Sequence, residues 1–145
     1  MGHIIDIGTA RQLLIDSKRL GGHVDQRHTG ISNDGLMARL YNGDGARNGK
    51  VQWISAFLNM SDTAQAAAET LRTWADDKYN AIINNRIPQD EIIADTNSMF
   101  QARFAFGSGV RTLRTNKTTM IVRATPEGLR FMIHTFFPRP PYDNA

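Results

Sequence analysis

The apolar positions of the chain change period near Pro88, and that change divides the sequence into a helical half and an extended half. In the first half, Leu13, Leu14 and Ile15 follow Thr9, a residue suited to cap a helix, and precede Lys18-Arg19 and then Gly21-Gly22. A short helix ending at Leu20 is predicted, because two glycines cannot profitably extend it and the basic turn suits a helix C-terminus. His23 to His28 has few breakers and allows a further turn or two up to Gly30. Ser32-Asn33-Asp34 then caps a segment in which Leu36, Met37 and Leu40 make a narrow apolar stripe, with Arg39 near its C-terminal end. Residues 42–49 are rich in Gly, Asn and Asp and read as a loop. Ser61-Asp62 is placed to cap the longest helix, in which Ala64, Ala67, Ala68, Leu71, Trp74, Tyr79 and Ile82 recur at three- and four-residue spacing up to the break before Pro88.

Past Pro88, β-branched and aromatic residues alternate with polar ones through Ser98 to Phe106, Thr118 to Thr125 and Leu129 to Phe137. Gly107-Ser108-Gly109 and Pro126-Glu127-Gly128 separate these runs, so three or four antiparallel strands are expected. Helices first and strands afterwards predict an α+β fold, with the N-terminal helices packed on one face of a C-terminal antiparallel sheet. At 145 residues with 41% apolar content, the chain is expected to form a single domain over residues 1–145.

The formal net charge of +3 is modest but unevenly placed. Acidic residues crowd the middle of the chain from Asp62 to Asp95, whereas Arg103, Arg111, Arg114, Lys117, Arg123, Arg130 and Arg139 dominate the last third. The asymmetry points to a polyanion as partner of the C-terminal part, against the plainer reading of a solvated sheet face. The absence of cysteine excludes disulfides, cysteine-zinc sites and a cysteine nucleophile. No apolar run approaches the roughly 18 residues of a membrane span, and the N-terminus lacks the basic and apolar regions of a secretory signal. A soluble chain with no membrane partner is expected.

Three places collect groups suited to acid/base chemistry on a phosphodiester. One is Gly21 to Gly30, which carries His23 and His28; the second is Arg39, eleven residues past His28; the third is His134-Thr135-Phe136-Phe137-Pro138. Cleavage of RNA by internal transfer needs a base for the 2′-hydroxyl, an acid for the leaving 5′-oxygen and donors for the charged phosphorane. Imidazole, with a free pKa of about 6.5, suits either proton step. Arginine suits the third role, because its planar fork matches phosphate oxygens and stays charged. Strand alternation puts Thr135 and Phe137 on one face and His134 and Phe136 on the other. Thr135 offers a hydrogen bond to phosphate, and Phe137 offers at most a stacking surface. Each residue also has an ordinary structural role open to it: a satisfied helix histidine, an arginine on helix carbonyls or on Asp34, a plain strand threonine.

Rival chemistries fit less well. His23 and His28 stand five positions apart, whereas paired zinc ligands on one helix face are usually four apart, and no third ligand accompanies them. No metal and no cofactor are expected. Gly43-Asp44-Gly45 and Gly107-Ser108-Gly109 lack the Lys-Ser/Thr end of a phosphate loop, and Ser108 has no Gly-x-Ser-x-Gly context. The remaining alternative to a nuclease is a non-catalytic module that binds RNA or a protein through the same arginines.

The ordered set Gly-Gly-His, Arg-His-x-Gly, a capped helix ending Ala38-Arg39-Leu40, Ser55-Ala56-Phe57 and a final Thr-x-Phe-Pro resembles the bacterial RNase A-like toxin domain. That domain lies at the C-termini of contact-dependent growth inhibition proteins and other polymorphic toxins, and the resemblance spans about residues 20 to 140. It implies an RNase A-like architecture without disulfides and metal-independent endoribonuclease activity on RNA, with transfer RNA a candidate target. It also implies delivery from the producing bacterium into the cytoplasm of a target cell, and a cognate immunity protein as partner of an otherwise monomeric domain. Residue by residue, the catalytic histidine of the family falls on His28, its phosphate-stabilising arginine on Arg39 and its strand threonine on Thr135. His23 matches a recurrent histidine of the first motif. The tyrosine that some members carry falls on Phe137, which has no hydroxyl. Arg111, Arg114 and Lys117 are then the candidates to follow the RNA backbone.

Overall fold

A computed structural model describes residues 4–22, 31–41, 53–106, 108–125 and 131–141. Among these, helices α1 (Ile7–Arg19), α2 (Asn33–Tyr41), α3 (Met60–Arg72) and α4 (Asp76–Ile83) accompany strands β1 (Ile54–Phe57), β2 (Gln89–Phe106), β3 (Gly109–Ala124) and β4 (Phe131–Arg139). The strands form one antiparallel sheet in the order β1-β2-β3-β4, curled upon itself, and the chain has an α+β fold without cysteines.

The helix starts lie slightly upstream of the predicted ones. Asp6, not Thr9, caps α1, its carboxylate accepting the Thr9 N–H at 2.6 Å. Asn59, not Ser61-Asp62, caps α3 by accepting the Asp62 N–H at 2.8 Å. Ser32 caps α2 as expected, with the Gly35 N–H on its Oγ at 3.1 Å. An early carboxylate or amide is the better cap because it satisfies an N–H that the first turn leaves without a partner.

The long predicted helix is two helices, broken at residues 73–75. Neither proline nor glycine breaks it. Trp74 turns inward instead, its ring packed edge-on against Tyr79 and Phe131 at 5.4 and 5.2 Å and its indole N–H donating to Asp90 at 2.9 Å. Burying this large ring with its N–H satisfied outweighs continuing the helix by one turn. Asp76 and Asp77 then open α4, where negative charge suits the helix N-terminus.

The sheet also exceeds its prediction. β2 begins at Gln89 rather than Ser98, with Ile92 and Ala94 buried and Ile93 and Asp95 exposed between them. Thr96 to Met99 interrupt its pairing, lying between the pairs Asp95–Lys117 and Phe100–Thr115. The interruption is held by polar contacts: Glu69, 7% exposed, accepts the Ser98 N–H at 2.7 Å, and Asn116 donates to the Thr96 carbonyl at 3.2 Å.

β1 is buried on both sides. Phe57 joins Phe100, Met120, Val122, Ile133 and Phe136 in the larger core beneath α1 and α3. Ile54 and Ala56 join Ala105 and Leu36 of α2 in a smaller cluster. Two helical layers therefore grip the β1–β2 end of the sheet from opposite sides, and this placement sets where Arg39 lies. No helix among the described residues is long and apolar enough to cross a membrane.

Candidate functional site

Gly21 and Gly22 do more than end α1. Gly21 takes the left-handed conformation with φ of 95°, and the Gly22 N–H returns to the Ser17 carbonyl at 2.9 Å, closing the helix as a glycine stop does. Gly22 then passes so close to β4 that a Cβ on it would lie 2.6 Å from the carbonyl oxygen of Ile133. From the other side, the buried Ser17 hydroxyl accepts the Ile133 N–H at 2.9 Å. The end of α1 is thus fixed to one residue of β4.

That residue adjoins a bulge. Val122 pairs with Ile133 and Ile121 with Thr135, so His134 is the extra residue on β4. The bulge explains why Ile133 and Phe136, three apart, share the larger core. It also corrects the simple alternation: Thr135 and Phe137 do share a face, opposite Ile121 and Thr119, but the half-buried His134 is not a regular member of the Phe136 face.

The face of Thr135 and Phe137 can be followed across the sheet. Phe100, Met120 and Phe136 lie together in the core under α1 and α3, so Arg103 and Ala105 on β2, Thr119 and Ile121 on β3, and Thr135 and Phe137 on β4 point to the other side. α2 covers the far end of that side through Leu36, and Arg103 ties its start down by donating to the Ile31 carbonyl at 3.1 Å. Arg39 is half-buried in the last turn of α2, three residues past Leu36. α2, which carries Arg39, therefore packs on the side of the sheet to which Thr135 and Phe137 point. His23 and His28 lie outside the described residues; Gly22, whose neighbour in sequence is His23, is the last described residue before them.

Arg111, Arg114 and Lys117 do not line a single face of β3. Arg111 and Arg114 are exposed, and their pairing with Phe104 and Gln101 puts them on opposite faces of β3. Arg111 sits over the Phe106 ring, 6.0 Å from its centroid. Lys117 lies 3.5 Å from the exposed Asp95 carboxylate. Arg139 braces the interruption in β2, donating to the carbonyls of Ala94 and Thr118 at 3.0 and 3.2 Å.

Trp53 and Ser17 lie outside the motifs that the sequence offers as a site. Trp53 is half-buried just before β1 and meets Phe104 and Phe137 edge-on at 6.2 and 5.9 Å. An isolated tryptophan after a Gly/Asn-rich stretch of sequence is the signal available for Trp53. Nothing local distinguishes Ser17, whose partner is 116 positions away.

No protein-family model matches the chain, and no curated protein matches it. What the helices and curled sheet define is an α+β class of fold. Among solved structures, a chain in the crystal structure of the CdiA-CT/CdiI complex from Y. kristensenii superposes on it with a TM-score of 0.61. The match covers 82% of this chain and 100% of that one at 18% sequence identity, a likeness of fold.

Proposed function

We propose that this chain is a metal-independent endoribonuclease toxin of interbacterial competition, cleaving RNA by attack of the 2′-hydroxyl on the adjacent phosphorus. The O2′–P bond forms as the P–O5′ bond breaks, leaving a 2′,3′-cyclic phosphate and a 5′-hydroxyl. His28 takes the O2′ proton or gives one to O5′, and His23 is the second candidate for proton transfer. Arg39 neutralises the phosphorane with its fork of donors, and Thr135 donates a hydrogen bond to a phosphate oxygen. Phe137 supplies an apolar wall and no proton.

The observation that carries this reading is the seating of Gly22 against Ile133. It seats Gly22, the residue before His23 in the sequence, on the strand that carries Thr135, two residues past Ile133. The shared side of Arg39 and Thr135, and the fold likeness to a chain of a CdiA-CT/CdiI complex, support it further. On the same reading the domain is delivered into a neighbouring bacterium, acts in its cytoplasm, and is neutralised by a cognate immunity protein of acidic surface.

The test is incubation of the protein and its His28→Ala variant with total bacterial RNA in EDTA, with the 3′ ends of the fragments resolved. Cleavage by the parent leaving 2′,3′-cyclic phosphates, and a loss of about a hundredfold in the folded variant, are expected. Binding of RNA without any product would instead identify a non-catalytic module.

A further inference from the structure

An aromatic row leads away from Phe137. Trp53 meets Phe137 on β4 and Phe104 on β2, both edge-on; Phe104 stacks with Phe106 at 6.2 Å; and Arg111 closes the row over the Phe106 ring. The members differ in burial. Phe104 is fully buried and acts as the floor, whereas Trp53, Phe106 and Phe137 are half-buried and Arg111 is exposed. A tryptophan needed merely to fill space would be expected inside, as Trp74 is at 4% exposure. Trp53 instead stays partly in solvent while two rings from different strands fix its plane.

We infer that Trp53 is the stacking platform for an unpaired nucleobase of single-stranded RNA, next to the phosphate held at Thr135. A rigid indole supplies a flat apolar surface at small cost in side-chain entropy, and base stacking on such a ring tolerates any sequence. Arg111, at the Phe106 end of the row, offers a cation to a phosphate flanking the stacked base. This inference rests on the ribonuclease reading and adds to it the feature of substrate recognised: a single-stranded base, outside any duplex.

The experiment uses the full chain carrying Trp74→Phe, verified as folded by circular dichroism, so that Trp53 is the sole indole. This protein is titrated with a 2′-O-methyl oligoribonucleotide, which cannot undergo 2′-hydroxyl attack. Saturable quenching of the Trp53 emission is expected, with Trp53→Ala, followed by anisotropy of a labelled oligonucleotide, weakening Kd by roughly 5- to 150-fold. Trp53→Phe, which keeps a ring between Phe104 and Phe137, retains most of the affinity. Binding with unchanged emission and an unchanged Kd in Trp53→Ala overturns the platform but leaves the ribonuclease reading standing. Absence of binding, together with absence of RNA cleavage by the parent, overturns both.

Discussion

Ser17 of α1 accepts the backbone N–H of Ile133 of β4 at 2.9 Å, its side chain 1% exposed. The contact falls where the β3–β4 register shifts around His134, so a side-chain oxygen supplies an acceptor at a break in the ladder. It joins the end of the first helix to the strand that carries Thr135. Replacing Ser17 by alanine leaves the Ile133 N–H buried without that acceptor, at a cost of roughly 1–3 kcal/mol. Urea unfolding at neutral pH should show the loss as a lower midpoint with an unchanged slope; an unchanged midpoint would mean that water enters and replaces the hydroxyl.

The two glycines after α1 separate stability from function. Gly21 needs its positive φ of 95°, but a Cβ there meets nothing within 4 Å, so Gly21→Ala should destabilise by roughly 1–2 kcal/mol and leave the geometry alone. A Cβ at Gly22 meets the backbone oxygen of Ile133 at 2.6 Å, an atom that moves only with β4. Gly22→Ala should therefore displace the end of α1 from β4 and lower RNA cleavage well beyond any loss in Tm. Equal cleavage by the two folded variants would show that the close approach has no bearing on the site.

These cases also mark what the sequence could reveal. The glycine stop, the apolar stripe of α2, and the α+β order depend on local chemistry, which composition and period express directly. The break at Trp74, the interruption in β2 and the bulge at His134 depend on partners far along the chain: Asp90 and Phe131, the Glu69 carboxylate, and Ser17. Arg39 and Thr135 were legible as residue types at motif spacing. That they share a side of the sheet follows from α2 packing on Ala105 and from Phe136 turning into the core beneath α1 and α3, contacts that lie outside the motifs themselves.

Glu69 is a carboxylate spent on structure. It is 7% exposed, with the Ser98 N–H on Oε1 at 2.7 Å and the Gln65 amide 3.3 Å from Oε2. Glu69→Ala strands the Ser98 N–H and opens a void, and should lower stability by roughly 1–3 kcal/mol. Glu69→Gln keeps a carbonyl oxygen for Ser98 and should lose less than half as much. Thermal unfolding of the two variants side by side decides it; equal losses would show that charge, and not the acceptor, matters there.

Asp6 gives α1 a pH-dependent start. The Thr9 backbone N–H on its carboxylate holds its pKa below the ordinary 3.8. A carboxylate whose folded-state value is lowered contributes stability that is complete above its unfolded value and is lost as pH falls through the lowered folded value. The parent should thus lose more stability than Asp6→Asn between neutral pH and pH 3, because asparagine caps equally well without titrating. Because the group is fully exposed, added salt should shrink the difference. Parallel unfolding curves for the two proteins across that range would remove the cap from the acid response.

The roles assigned to Arg39 and Thr135 differ in what the chemistry asks of each. Thr135→Val preserves the branched shape that suits β4 and removes a single donor, so kcat should fall roughly a hundredfold while the fold is kept; Thr135→Ser, with the hydroxyl restored, should recover most of it. Arg39→Lys keeps the charge but loses the fork that holds two phosphate oxygens at once, and should lower kcat as well. Neither residue moves a proton in this scheme. The pH–rate profile of each variant should keep the shape of the parent's, whereas His28→Ala should lose one limb of it. A changed limb in Arg39→Lys, with His28 intact, would reassign the arginine from stabilising charge to setting the histidine's proton affinity.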